Sequence, residues 1–380
     1  MIRYKLKDLS LSKLEYGSGA AACMYDGITR YVRITDIDDE GNLGADVVSP
    51  NLVDEKYLLY DGDVLFARTG ATVGKTYLYK QKDGKCIFAG FLIRVVPNQE
   101  LIRPEYLYYY TKSPQYKAFV QSSMKVVAQP NINAKQYGNL ELNVPSLEEQ
   151  DIVIGKLSAI NSIITLRQDE IRKLDKLIKA RFVEMFREYE WSTTVGNYIA
   201  ELRGGKSLAG TEPCKNKVLK TGAATFGWFD PEQYKYLPQD YEPLPEHKVE
   251  AGDVMISRMN TPDLVGACSY VFEAPEDMYY PDRLWKVIPK NQANPIFIWQ
   301  LLWDPEIRRQ IKEKSGGTSG TMHNISKPKL LEIKCINVSV KEQNKFANFV
   351  KQVDKSKAQV QKSLNETQLL FDSLMQKYFG

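Results

Sequence analysis

The chain has 380 residues, a formal charge of only +4, 43% hydrophobic and 26% charged residues, a balance that suits a globular protein of two or three cored domains. No apolar run approaches the ~18 residues that cross a bilayer, and the start, Met1-Ile2-Arg3-Tyr4-Lys5, has no signal-peptide core. Five scattered cysteines (Cys23, Cys86, Cys214, Cys268, Cys335) form no CxxC, so neither a disulfide framework nor a zinc site is indicated, and the expected location is the reducing cytoplasm, away from membranes.

Residues 1–145 mix short apolar segments with glycine punctuation. The spacing predicts strands over 31–34, 64–67 and 92–96 and a helix over 104–123. A long helix over 146–190 follows. Its start, Ser146-x-x-Glu149, is a capping box, in which serine and glutamate each satisfy a free backbone N–H. Val153, Leu157, Ile160, Ile164, Ile171, Leu174, Ile178 and Met185 then recur at spacings of three and four, interrupted by Arg167 and Arg181. Residues 191–338 repeat the first order, with strands over 217–220, 254–257 and 284–288 and a helix over 295–314. A second capped helix, Ser339-x-x-Glu342, carries Phe346, Val350, Val353, Val360, Leu364, Phe371, Leu374 and Tyr378, interrupted by Lys357 and Thr367.

The two halves are copies. Gly62-Asp63-Val64-Leu65-Phe66-Ala67-Arg68 reappears as Gly252-Asp253-Val254-Met255-Ile256-Ser257-Arg258, 190 residues on. Asn131-Ile132 returns as Asn324-Ile325, and Ser146-Leu147-Glu148-Glu149-Gln150 as Ser339-Val340-Lys341-Glu342-Gln343, both 193 residues on. A fused duplication of one module follows. Two apolar helix stripes in one chain most simply bury each other, and a pseudo-twofold between the copies makes them antiparallel. The prediction is a mixed α/β protein: two tandem α/β domains (1–145 and 191–338) separated by long helices (146–190 and 339–380) that form an antiparallel coiled coil about 60 Å long, with both chain ends in the same region.

The motifs exclude more chemistry than they suggest. Gly70-Ala71-Thr72-Val73-Gly74-Lys75-Thr76 has three residues between its glycines where a phosphate-binding loop needs four. The Asn/Asp-Pro-Pro-aromatic motif of amino-methyltransferases is absent, and two histidines support neither a metal cluster nor a Ser-His-Asp set. Charge alone does not point to nucleic acid: residues 1–145 hold 18 Lys/Arg against 16 Asp/Glu, and residues 191–338 hold 18 against 18. Arg68 and Arg258 each end an apolar strand and open a loop, and an arginine fork suits phosphate or guanine; a salt bridge is the competing role. The polar stretch Ser315-Gly316-Gly317-Thr318-Ser319-Gly320-Thr321 lets backbone N–H groups approach a phosphate.

Gly-Asp-Val-Leu-Phe-Ala-Arg-Thr-Gly at 62–70, the Gln129-Pro130-Asn131-Ile132 turn and the Val144-Pro145-Ser146-Leu147-Glu148-Glu149-Gln150 helix start resemble the DNA-specificity subunits of type I restriction–modification systems. The likeness covers essentially the whole chain, including the alternation of domain and helix. The second copy departs in lacking Pro145 and Gln129-Pro130. The resemblance implies a non-catalytic subunit in which each globular domain is a target-recognition domain reading half of an interrupted site in double-stranded DNA. It implies partners: two methyltransferase subunits and motor–nuclease restriction subunits. S-adenosylmethionine, ATP and magnesium belong to those partners, with no cofactor on this chain. Candidate DNA contacts are Arg33, Arg68, Thr69, Lys75, Lys125, Gln129 and Asn131 in the first copy. In the second they are Lys220, Arg258, Asn260, Lys314, Thr318, His323 and Asn324. The helix stripes from Val153 to Ile178 and from Phe346 to Leu374 are the expected coiled-coil and subunit-docking residues. The rival reading is a scaffold with two non-DNA ligand-binding domains on a coiled-coil spacer. A third, an ATP-dependent enzyme built on Gly74-Lys75-Thr76, requires nucleotide binding by the isolated chain.

Overall fold

A computed structural model describes residues 2–124, 131–290, 292–319 and 322–380. It divides into two compact units, Met1–Gln168 with Lys362–Gly380, and Asp169–Gln361. These cut across the four consecutive segments expected from sequence, because each unit takes one globular domain and a part of each long helix.

In the first unit a four-stranded antiparallel sheet runs in the order Glu15–Tyr16, Leu92–Val95, Val64–Ala67, Thr76–Leu78. Every side chain from Val64 to Ala67 is buried, so the strand reads as a continuous apolar run and not as an alternation. Successive side chains point to opposite faces: Val64 and Phe66 join one core with Ile93 and Val95, while Leu65 and Ala67 join another with Leu92 and Phe88. The second unit repeats the order as Ile199–Gly204, Leu284–Pro289, Val254–Ser257, Cys268–Tyr270, with Val254 and Ile256 on one core and Met255 on the other. A short antiparallel pair closes each domain at the foot of its long helix: Ile2–Lys5 with Glu141–Val144, and Thr193–Thr194 with Lys334–Cys335.

Several predicted elements differ. The strand expected over 31–34 is Arg30–Val32, because the Asp36 carboxylate accepts the Arg33 N–H at 2.8 Å and closes a 3-10 turn. The helix expected over 104–123 is two, α1 (Pro104–Tyr110) and α2 (Pro114–Met124); α3 (Ala134–Gly138) follows. The first long helix is α4 (Leu147–Phe186). The helix expected over 295–314 is likewise α5 (Pro295–Leu302) and α6 (Pro305–Lys314). Proline disfavours helical geometry in the residue before it, and Asp304 restarts the chain by accepting the Glu306 N–H at 2.9 Å. The set ends with α7 (Lys327–Leu331) and α8 (Val340–Phe379).

The first capping box closes fully and the second only through its serine. The Ser146 N–H donates to Glu149 Oε2 at 3.0 Å and the Glu149 N–H to Ser146 Oγ at 3.3 Å. The Glu342 N–H donates to Ser339 Oγ at 3.4 Å, while its carboxylate takes Lys345 at 2.7 Å. In the first unit Val153 and Leu157 share a core with Met375 and Phe379, and Lys156 Nζ donates to Tyr378 Oη at 3.4 Å. In the second, Ile178, Phe182 and Phe186 meet Phe346, Val350 and Val353, and Asp175 pairs with Lys357 at 2.6 Å. Rising numbers on α4 thus meet falling numbers on α8, the antiparallel sense expected. Ile164 and Val360 are also buried, whereas Ile160, Ile171, Leu174, Leu364, Phe371 and Leu374 are half-buried. Phe182, Met375 and Phe379 are more deeply buried than the predicted Met185 and Tyr378. Each such apolar side chain is worth about 1.5–3 kcal/mol on burial. Both chain ends belong to the first unit, where Phe379 packs on Tyr106 at 5.0 Å.

Candidate nucleic-acid interface

The duplicated Gly-Asp-strand-Arg motif builds the same device twice. Gly62 (φ +91°) and Gly252 (φ +97°) take a left-handed turn that favours glycine. The next residue is a buried carboxylate: Asp63 accepts the Tyr60 N–H at 3.0 Å, and Asp253 the Glu250 N–H at 2.9 Å. Each faces a cation from the neighbouring strand, Arg94 at 3.7 Å from Asp63 and Lys286 at 3.1 Å from Asp253. A second carboxylate completes each clasp, Glu15 on Arg94 and Glu250 on Lys286, both at 2.7 Å. Burial pushes the Asp63 and Asp253 carboxyls up despite these cations. The clasp therefore fixes the strand by geometry rather than by a large net Coulombic gain.

At the far end of that strand the arginine backbone is gripped from two sides. The Arg68 N–H donates to Phe91 O at 3.1 Å, and Arg68 O accepts the Ile132 N–H at 2.8 Å. The second copy matches it, with Arg258 N–H to Arg283 O at 3.0 Å and Ile325 N–H to Arg258 O at 3.0 Å. Ile132 and Ile325 are buried plugs, while Asn131 and Asn324 stay exposed beside the arginines. Thr69 bridges to Asn131, and Met259–Asn260 pairs with Met322–Asn324 so that Asn260 stands opposite His323. Arg68, Thr69 and Asn131 thus meet in the first unit, and Arg258, Asn260, His323 and Asn324 in the second. Arg68 Nε reaches Asn131 Oδ1 at 3.4 Å and its guanidinium lies 4.7 Å from the Tyr16 ring centre; Arg258 Nε is buried without an acceptor among the described residues.

Other candidates fall elsewhere. Arg33 forms ion pairs with Asp36 at 2.7 Å and Asp46 at 2.9 Å, which hold its guanidinium firmly protonated. Lys75 pairs with Asp39 at 2.9 Å. Both are committed inside their own unit. Lys220 holds the position of Arg33, preceding the matching 3-10 turn, but is exposed. Lys314 ends α6 and is half-buried. His323 Nδ1 lies 3.0 Å from Ser315 Oγ. The polar stretch after Ser315 forms the strand Gly316–Ser319, paired with Met322–Asn324. Lys125, Gln129, Gly320 and Thr321 lie outside the described residues, as does the side chain of Thr318.

Sequence reading missed Tyr16, Phe91 and Arg283. Tyr16 supports Arg68 from a strand 52 residues away. Phe91 (58% exposed) and Arg283 occupy equivalent turns beside the two arginines, and the 192-residue offset between them was the available clue. In the Gly70–Thr76 stretch Thr76 Oγ1 is buried against Thr111 Oγ1 at 2.6 Å. Among the described residues no group of three or more His, Cys, Asp or Glu side chains is placed to hold a metal. Burial pushes the Cys86 thiol up to about 11 and those of Cys268 and Cys335 up to about 12, far from the thiolate that nucleophilic chemistry needs. No helix of the described residues is long and apolar enough to cross a membrane.

The chain matches the family model of the type I restriction modification DNA specificity domain twice, over residues 27–176 and 199–367. It is 22% identical over 342 residues to the specificity subunit of the type I restriction enzyme MjaVIII of Methanocaldococcus jannaschii, covering 82% of this chain and 78% of that one. It is 23% identical over 360 residues to the EcoKI specificity subunit of Escherichia coli strain K12, covering 87% and 77%. Its fold is similar to the crystal structure of a type I restriction–modification S subunit from M. genitalium, with a TM-score of 0.58, 16% identity and 100% and 96% of the two chains covered. Two copies of one DNA-specificity domain, each presenting an arginine–asparagine loop pair, make this chain a member of the type I restriction–modification specificity subunits, whose role is to recognise DNA.

Proposed function

We propose that the two units read the two halves of one interrupted, asymmetric DNA site, and that α4 and α8 serve as the spacer between half-sites and the seat of two methyltransferase subunits. Restriction subunits complete the assembly in the cytoplasm, and the chain itself turns over neither S-adenosylmethionine nor ATP. One observation carries the bipartite reading. The same arginine–asparagine loop pair is built twice on the same clasp, while its neighbours change from Tyr16 and Phe91 to Arg283 and His323. A conserved support with altered contact residues is what reading two different half-sites requires. The buried stripe residues Val153, Leu157, Ile178, Phe346, Val350 and Val353 are taken up by the cores of their own units, so docking falls to the outer faces. There Leu177 (46% exposed) and Leu370 (52% exposed) stand 193 residues apart, equivalent positions in the two copies. Family membership disfavours the non-DNA scaffold. Methylome sequencing of cells with and without the chain tests the reading: adenine methylation at one bipartite motif should vanish with the chain. An unchanged methylome in cells that express the methyltransferase would refute it.

A further inference from the structure

The second unit holds a cavity of about 490 Å³ between its globular domain and the two helices, a size typical of small-molecule sites. At its rim Phe226 and Trp228 stack at 5.7 Å although they are 63% and 56% exposed. Deeper in, Tyr270, Phe272 and Trp299 form a tight cluster, with Trp299 stacked on Tyr270 at 6.0 Å and edge-on to Phe272 at 6.1 Å. The buried Trp299 indole N–H has no acceptor among the described residues.

Three carboxylates, Asp175, Glu273 and Asp354, and two lysines also line the cavity. Lys357 is taken by Asp175 at 2.6 Å, and Lys179 lies 6.0 Å from the Trp303 ring centre. Glu273 and Asp354 have no ion pair among the described residues. Burial raises the Asp354 carboxyl; Lys357 opposes the shift, and Glu273 and Asp175 reinforce it.

The duplication does not explain this site. Pro104 and Pro295 begin equivalent helices, so Trp299 and Trp303 correspond to Tyr108 and Lys112. Equivalent strand pairing sets Phe272 against Lys80. In the first unit that Lys80 pairs with Glu105, and Tyr108 Oη donates to Glu40 O at 2.5 Å. Aromatic walls beside unpaired carboxylates belong to the second copy.

We propose that this cavity binds a free small organic cation, a guanidinium or alkylammonium compound with an apolar face, against the Phe226–Trp228 stack and the carboxylates of Glu273 and Asp354. Ring faces and carboxylates both favour such a cation over a neutral molecule of the same shape. Because the walls come from the domain and from both helices, the occupant braces the second unit. The inference does not depend on how the chain reads DNA.

The test titrates the full-length chain with choline, arginine, their neutral isosteres 3,3-dimethylbutanol and citrulline, and a short arginine-bearing peptide, followed by calorimetry and tryptophan fluorescence. At least one cation should saturate and its isostere should bind about tenfold more weakly or less. Trp228→Ala and Asp354→Asn should each weaken the cation about tenfold without changing the melting of the ligand-free chain. If Trp228→Ala melts early, Phe226→Ala replaces it. Equal binding of cation and isostere, no saturation by either cation, or variants that bind like the parent would overturn the proposal. Saturation only by an arginine-bearing peptide would also overturn it, in favour of a protein partner.

Discussion

Gln150 is fully buried at the start of α4 and ties that helix to the loop before α1. Its Oε1 accepts the Arg103 N–H at 2.8 Å, and its Nε2 donates to Leu101 O at 2.9 Å and Pro145 O at 3.0 Å. Gln343 repeats the lock with the Asn294 N–H at 2.8 Å and Val338 O at 2.8 Å. Gln150→Ala strands one buried donor and two acceptors, and at ~1–3 kcal/mol for each unsatisfied buried group, partly relieved by water, the loss should be about 3 kcal/mol. Gln150→Glu is the sharper perturbation. The new carboxylate still accepts from Arg103, but its second oxygen faces two carbonyl oxygens, so burial and repulsion must raise its folded pKa above the ~4.3 of an unfolded glutamate. The sign follows: no ionisation penalty below the unfolded pKa, a growing one as pH rises, and the full penalty above the folded pKa. Urea unfolding, with hydrogen exchange at the first turn of α4 and at residues 98–104, should rank Gln150→Glu below Gln150→Ala at neutral pH. The gap to the parent should narrow as pH falls towards ~4.5. A glutamate variant as stable as the parent at neutral pH, or with a deficit independent of pH, would refute the lock.

Arg68→Ala and Arg258→Ala should each weaken DNA binding at one half-site. A base contact costs ~1–3 kcal/mol and relaxes one position, whereas a phosphate contact lowers affinity for all sequences and flattens the salt dependence; anisotropy that both variants leave unchanged at every salt concentration would place these loops off the DNA. Leu177→Asp and Leu370→Asp should each lose one methyltransferase subunit, and the double variant both, without loss of fold; light scattering showing full stoichiometry would rule out this docking face. A fragment of residues 1–190 should dimerise through its exposed stripe and, with methyltransferase subunits, modify an interrupted palindrome. The 193-residue repeat would set Asp175 against Ile164 where the whole chain offers Lys357, so this dimer should be weaker than the natural pair. Sedimentation of a monomer, or methylation of asymmetric sites only, would exclude it.

What the sequence determined by itself was whatever neighbours in the chain write together. The duplication, the strand ending at Arg68 and Arg258, the serine–glutamate caps and the apolar stripes of α4 and α8 all stand in periods of two to four residues or in one repeat offset. The proline breaks before α2 and α6 were equally local and were still overlooked. Tertiary structure decided which polar side chains were free. Arg33, Lys75 and Arg68 are alike as sequence, yet the first two end in ion pairs while Arg68 is held between Tyr16 and Asn131. The role of Gln150 depends on a loop 47 residues away, the clasp of Asp63 on Arg94 across the sheet, and the aromatic cavity on segments spread from Asp175 to Gln361. Such partners are chosen by strand register and packing, which set distances that no local pattern encodes, and so burial and charge pairing, rather than residue type, separate a structural arginine from one that can reach DNA.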